Sequence, residues 1–370
     1  MLRYAILMVL IGVAGVRAEE IERNVLFRAG EGGYASYRIP AIVAVGEKGV
    51  LAFCEGRKNN GGDSGEINLL ERRSADGGRT FGPVQVVWAD GANTCGNPCA
   101  VVDEATGVVW LLMTHNLGED REPGLTMGTS KKTRTVWVTS SKDGGKTWEK
   151  PQEITKEVKK EEWAWFATGP GVGVQIHTGK YKGRLVIPCD YVTRGGKMGN
   201  SVVFYSDDHG QSWKIGGEPA GGGYNESQVV ELNGGEVMLN MRNGRVKKGT
   251  TQPKERGVAV SEDGGETFAA ARHDTALVEP ICQGSILRYS WGKNGVILFA
   301  NPASTKREKM TVRESRDEGQ TWSDGRVVWD GPAAYSCLVK LQDGQVGLLY
   351  EAGEKKPYER IELARFGMGE

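Results

Sequence analysis

Along most of the chain, short segments of alternating apolar and polar residues are separated by glycine-rich polar stretches. Thr135-Val-Trp-Val-Thr139 and Val202-Val-Phe-Tyr205 are representative, and this period predicts β-strands. The strands lead into one recurring pattern, Ser-x-Asp-x-Gly-x-(Thr/Ser)-(Trp/Phe), found five times, at Ser74–Phe81, Ser141–Trp148, Ser206–Trp213, Ser261–Phe268 and Ser315–Trp322. Its chemistry is that of a hairpin turn. The Asp carboxylate accepts hydrogen bonds from turn amides, and glycine takes the positive φ that a tight turn needs. The closing aromatic is expected to pack back over its own hairpin. The Asp residues are therefore read as turn formers and not as calcium or sugar ligands. The charged run Lys156–Glu162 is predicted to be a solvated loop or a helical turn.

The boxes are 67, 65, 55 and 54 residues apart. Repeats of this length built from strands and hairpins indicate a propeller. Residues 1–18 are set aside from that count: Arg3, the uncharged apolar run Ala5–Val16 and the small residues Val16 and Ala18 read as a secretory signal peptide, too short for a membrane span. The remaining 19–370 divides best into six units of about 59 residues. The sequence thus predicts an all-β chain, one six-bladed β-propeller domain over 19–370, secreted or periplasmic and with no membrane span. Five blades carry a box. The sixth is expected to combine strands around Gln345–Tyr350 and Ile361–Phe366 with one near Asn24–Arg28, so that both termini close the ring and leave no open edge.

Composition narrows the chemistry. The 54 glycines, about twice ordinary usage, suit many turns and few long helices. Lys+Arg and Asp+Glu are 47 each, which gives no electrostatic footprint for nucleic acid. The four histidines are scattered without metal-ligand spacing, so no metal and no cofactor is expected. Of the six cysteines, Cys95 and Cys99 are close enough to pair within one loop, and the other four read as free buried thiols.

Several arginines stand near strand starts and ends, between the boxes: Arg38 in Tyr37-Arg-Ile-Pro40, Arg57, Arg242 in Leu239-Asn-Met-Arg-Asn243, and Arg307. An Arg inside an apolar strand needs an acidic partner or an anionic ligand. With Tyr-Arg-Ile-Pro ahead of repeated Asp boxes, the chain resembles the exo-α-sialidase (neuraminidase) family of six-bladed propellers over nearly all of 19–370. The resemblance implies a three-arginine clamp on the sialic acid carboxylate, matched by Arg38, Arg242 and Arg307, with Arg313 as the runner-up for the third. It implies a Tyr nucleophile at Tyr335 in Ala334-Tyr-Ser336, activated by Glu226, sixteen residues before Arg242. It implies an acid/base Asp in a Gly-rich loop, Asp63, with Glu66 next in line. Arg57 matches a family residue near the sugar's 4-position, and Glu351 matches a carboxylate that holds the first clamp Arg.

The chemistry implied by the resemblance is coherent. Three guanidinium groups offer a carboxylate bidentate, charge-assisted bonds. A neutral Tyr hydroxyl avoids the repulsion that a carboxylate nucleophile would meet, and sialidases are the tyrosine exception among retaining glycosidases. The expectation is a retaining exo-α-sialidase acting on sialylated glycans of glycoproteins, glycolipids or oligosaccharides. The alternatives are a sialoglycan-binding propeller without catalysis, which would need the clamp but not Tyr335, Glu226 and Asp63 together, and a sugar-transferring variant. Trp163, Trp165 and Tyr191 are candidates for the rim of the site.

Overall fold

The computed structural model describes residues 20–244 and 255–368; the predicted signal peptide lies outside them. The strands group into antiparallel sets of four. Blade 1 comprises Ser36–Val45, Gly49–Arg57, Ile67–Ser74 and Gln85–Trp88. Blade 2 comprises Thr94–Asp103, Val108–Asn116, Thr135–Ser141 and Gln152–Glu153. Blade 3 comprises Trp163–Thr168, Leu185–Thr193, Gly199–Ser206 and Lys214–Ile215, and blade 4 Tyr224–Glu231, Val237–Asn243, Glu255–Ser261 and Arg272–Val278. Blade 5 begins with Ser285–Ser290, Val296–Pro302 and Glu308–Ser315.

The strand Arg326–Lys340 serves two blades. Residues 326–332 pair with Glu308–Ser315 as the outer edge of blade 5, and residues from Ala333 onward pair with Val346–Ala352 as the inner strand of blade 6. Arg360–Phe366 and Glu22–Arg28 complete blade 6, the last pairing across the ends of the chain. The sixth blade is thus closed as the sequence predicts.

The burial pattern explains the order of strands within a blade. The inner strand Ser36–Val45 is buried along almost its whole length, because neighbouring blades cover both its faces. The outer strand Arg272–Val278 buries only every third residue or so. Six separate apolar clusters each join one pair of neighbouring blades, from Val43 and Leu111 between blades 1 and 2 round to Leu349 and Ile42 between blades 6 and 1. Burial is therefore distributed around a ring, and the apolar area of each interface supplies the main drive for closure.

All five boxes form the predicted turns. In the first, Gly78 N–H donates to Ser74 Oγ (2.9 Å), while Thr80 donates from N–H and Oγ1 to Asp76. These bonds, led by the Thr80 hydroxyl, hold the Asp76 carboxyl well below the usual carboxylate range. The left-handed position just before the Ser-bonded glycine is Gly in three boxes, but His209 and Glu318 hold it in the other two, at φ 59° and 60°. The closing aromatics also reach beyond their own hairpins. Trp148 Nε1 donates to Glu71 of blade 1 (2.6 Å), Trp322 Nε1 donates to Asp274 of blade 4 (3.1 Å), and Trp213 stands edge-on both to Phe204 of its own hairpin, as expected, and to Trp110 of blade 2. The box thus also fastens blade to blade.

Cys95 and Cys99 do not pair. Both lie on the strand Thr94–Asp103 as buried free thiols, Cys95 facing blade 1 and Cys99 facing blade 3. The remaining four cysteines are buried free thiols, as predicted. Lys156–Glu162 begins within a single helical turn, Thr155–Val158, and ends as a turn.

Candidate active site

The inner strands converge on a channel, and at the end where they begin a pocket of about 410 Å³ opens. The side chains of the inner strands arrive there by one device. The pairing register of the inner strands slips between Arg38 and Ala41, Gly96 and Cys99, Trp163 and Trp165, Tyr224 and Ser227, and Ala333 and Ser336. A bulge re-aims side chains that a regular strand would send to opposite faces. Consecutive residues Asn225 and Glu226 accordingly both line the pocket. In blade 1 the bulge places Ile39 at φ 61°, an uncommon conformation for a β-branched residue, and Glu351 accepts the Ile39 N–H at 2.9 Å. Glycine is required where blades 1 and 2 meet: a Cβ on Gly96 would lie 2.5 Å from Glu55 Oε1.

Around the bulges the predicted residues come together. Tyr335 Oη donates to Glu226 Oε1, and Arg242 Nη1 donates to Glu226 Oε2 (2.5 Å) and to Tyr335 Oη (3.1 Å). Burial, with the Glu226 carboxylate beside it, pushes the Tyr335 hydroxyl well above the ordinary phenol range. Arg38 and Arg307 flank the Tyr335 ring, their guanidinium carbons 5.1 and 5.5 Å from its centroid. Arg38 Nε donates to Glu351 (2.6 Å), whose other oxygen accepts the Tyr335 N–H (3.1 Å). Glu351 is fully buried behind the pocket and ties the first arginine to the backbone of the tyrosine. Arg307 donates to Tyr358 Oη (2.7 Å) and the Ile281 carbonyl (3.1 Å); among the described residues no carboxylate pairs with it.

On the strand next to that of Arg38, Arg57 donates to Glu55 (2.7 Å) and to the Gly61 carbonyl (2.7 Å), and Asp63 pairs with the same guanidinium at 2.7 Å. The Asp63 side chain is 65% exposed at the mouth. Burial alone would raise its pKa, but Arg57, followed by Arg38, outweighs it and holds Asp63 below the usual carboxylate range. Glu66 instead stands 3.8 Å from Lys58, and Arg313 does not reach the pocket.

Blades 2 and 3 supply what sequence reasoning missed. Arg134 donates to Asn97 Oδ1 and to Thr114 Oγ1 (2.8 Å), with its guanidinium carbon 4.1 Å from the centroid of Trp165. Asp190 lines the pocket as a buried carboxyl, and Glu122 reaches it from the short helix Glu122–Met127. Arg134 opens a strand in Lys132-Thr-Arg-Thr-Val136, the criterion that singled out Arg38, and Asp190 interrupts the apolar run Leu185–Val192, so both carried a readable signal. Tyr358 sits in a loop and carried none. Of the proposed rim aromatics only Trp165 faces the pocket. Trp163 and Tyr191 are buried and stacked on each other, centroids 4.1 Å apart, because the slip between Trp163 and Trp165 turns the former inward.

The arrangement combines a cluster of cations suited to a carboxylate, a hydroxyl bonded to a carboxylate base, and a second carboxylate at the mouth. Comparison with known proteins agrees with it. A BNR repeat-like domain model matches residues 48–348. The chain is 35% identical over 354 residues to a sialidase of Micromonospora viridifaciens, covering 91% of this chain but only 53% of that protein. It is 32% identical to an exo-alpha-sialidase of Aspergillus fumigatus, covering 91% of this chain and 85% of that one. The Hadza microbial sialidase Hz136 superposes with a TM-score of 0.80 at 30% identity, over 92% of this chain and 68% of that one. Fold, family model and relatives converge, and the chain belongs to the sialidase family.

Proposed function

We propose that the protein is an exo-α-sialidase that releases terminal α-linked sialic acids from glycans with retention of configuration. The observation that carries this reading is the Tyr335–Glu226–Arg242 unit. A phenol far from ionising needs a base at the moment of attack, and Glu226 already accepts its hydrogen bond. Arg242, bonded to both, stabilises the negative charge wherever it resides, on the carboxylate before proton transfer or on the phenolate after it.

Arg38, Arg242 and Arg307 bind the substrate carboxylate. Arg307 has no carboxylate partner among the described residues, and Glu351 orients Arg38. Attack of Tyr335 Oη on the anomeric carbon forms the glycosyl–tyrosine bond as the glycosidic bond breaks. Asp63 gives its proton to the departing oxygen, then takes one from the water that cleaves the tyrosyl bond. Two displacements give retention. Because Arg57 holds Asp63 below the usual carboxylate range, the acid step draws on the protonated fraction of Asp63, and kcat/KM on natural substrates falls as pH rises from the acid side. The test is a fluorogenic aryl sialoside assay across pH 4–8, with NMR of the first-formed anomer. Release of the α-anomer is expected. Binding of sialosides without turnover would replace the enzyme reading with a sialoglycan-binding one.

A further inference from the structure

Asp190 is a buried carboxyl of the pocket that the steps above leave unused. It sits on the second strand of blade 3, opposite Ala167 on one side and Ser201 on the other. Its residue is 1% exposed, no cation pairs with it, and its Oδ1 has no hydrogen-bond partner among the described residues. Its Oδ2 accepts from Asn225 Nδ2 at 3.5 Å. The cross-strand neighbour Ser201 donates from Oγ to the Asn225 carbonyl. Blade 3 therefore grips both the side chain and the backbone of the residue that precedes Glu226. That residue lies in the bulge of blade 4, where no regular ladder fixes the backbone.

We propose that Asp190 is a positioning residue that, through Asn225, fixes the Glu226 carboxylate against Tyr335 and keeps the base's surroundings free of a second negative charge. The inference rests on the reading of Glu226 as the base. A carboxyl stripped of water with one long hydrogen bond is costly to ionise. The charged groups facing it are Glu226 and Arg242 from blade 4, Arg134 from blade 2 and Glu122 from the short helix. Burial, then Glu226, push its pKa well above the carboxylate range, against the pull of Arg134 and Arg242. In the neutral form it leaves Glu226 as the anion that Tyr335 needs. Once ionised, it places a like charge beside Glu226, and activity falls.

The experiment uses an aryl sialoside with a good leaving group, so that protonation of Asp63 does not shape the profile. Asp190→Ala is expected to lower kcat by about 10–100-fold, the scale of a misplaced reacting group, with KM changed far less. Asp190→Asn, of the same shape, is expected to lose less than Asp190→Ala on the acid side and to carry the alkaline limb of kcat/KM to higher pH than in wild type. Asn225→Ala is expected to lower kcat as Asp190→Ala does, and the double variant to show no further loss. Wild-type and Asp190→Asn profiles that superimpose would overturn the proposal. So would a loss confined to KM in both Asp190 variants, which would make Asp190 a substrate contact. Near-ultraviolet circular dichroism identifies a misfolded variant, and Asp190→Asn then decides alone. A wild type inactive on every sialoside would instead count against the sialidase reading.

Discussion

The outer and inner ends of the repeats solve opposite problems. At the outer turns, Asp76 and its counterparts are caged by hydroxyl and amide donors, in nearly identical geometry in every box. At the inner bulges the blades differ. Blade 1 brings an arginine, blade 4 a glutamate, blade 6 a tyrosine, and each is held by a partner from another blade or another strand. Repetition at the rim makes the scaffold regular. Departure from repetition at the centre makes one pocket out of six similar units. Substitutions should therefore separate cleanly, the inner ones altering turnover and the outer ones stability.

The largest expected effect is at the centre. Tyr335→Phe removes the attacking oxygen whichever group departs, so kcat/KM should fall by on the order of 10³-fold or more on all sialosides, with little change in unfolding free energy. Asp63→Ala behaves differently. A sugar hydroxyl leaves poorly without a proton, whereas an activated phenol needs none. The loss should be about 10²–10⁴-fold on a sialyl-galactoside and much smaller on the aryl sialoside. Kinetics of both variants on both substrates check this, and equal losses for Asp63→Ala would remove it from the acid role. Arg242→Lys keeps the charge but cannot serve Glu226 and Tyr335 while also meeting a substrate carboxylate. It should cost about 1–3 kcal/mol in kcat/KM, and near-normal kinetics would place the carboxylate elsewhere.

How much of this was legible in the sequence follows the same division. The outer turns were readable because a box is a local object: Ser, Asp, Gly and Thr within eight residues satisfy one another. The docking of Trp148 and Trp322 on the preceding blade was not, since it depends on packing between repeats. At the centre, the eight residues named from sequence come together, seven lining the pocket and Glu351 behind it. The placing of Arg38, Glu226 and Tyr335 rests on register slips that strict alternation does not encode. For that reason Trp163 and Trp165, two residues apart and nominally on one face, end on different ones. Asp190 was visible as a charge inside an apolar strand and Arg134 as one at a strand start, but their meaning appears only once blades 2 and 3 face Glu226.

The outer half of the comparison is sharpened by Asp317→Ala. Asp317 accepts from Thr321 N–H (2.9 Å), Thr321 Oγ1 (2.6 Å) and Ser315 Oγ (2.9 Å). The site is largely solvated, so the loss should be about 1 kcal/mol, read as a lower urea midpoint, with unchanged specific activity of the folded fraction. A collapse of activity per folded molecule with stability intact would give the box a catalytic part.

The smallest effect concerns a third region, the far mouth of the same channel, where apolar side chains such as Ile42, Val229 and Ile286 line a cavity of about 490 Å³. Gln228 and Gln283, both bonded to the Pro170 carbonyl (3.0 and 3.3 Å), lie between that mouth and the candidate active site. At the rim, His177 contacts Glu231 and Glu104, each at 3.1 Å. Hydrogen bonding to Glu231, then that to Glu104, against the opposing pull of burial, raises its pKa to about 9 from the ordinary 6.5. The folded state therefore binds the His177 proton more tightly than the unfolded chain. The stabilisation is full below pH about 6.5 and is lost as pH rises through about 9. With 41% of the side chain exposed, solvent screens the pair and the contribution is small. His177→Gln should lower the urea midpoint at pH 6 and match wild type at pH 10, while kcat/KM stays the same at both. A midpoint difference that persisted unchanged at pH 10 would assign His177 a packing role and detach it from the charge of Glu231.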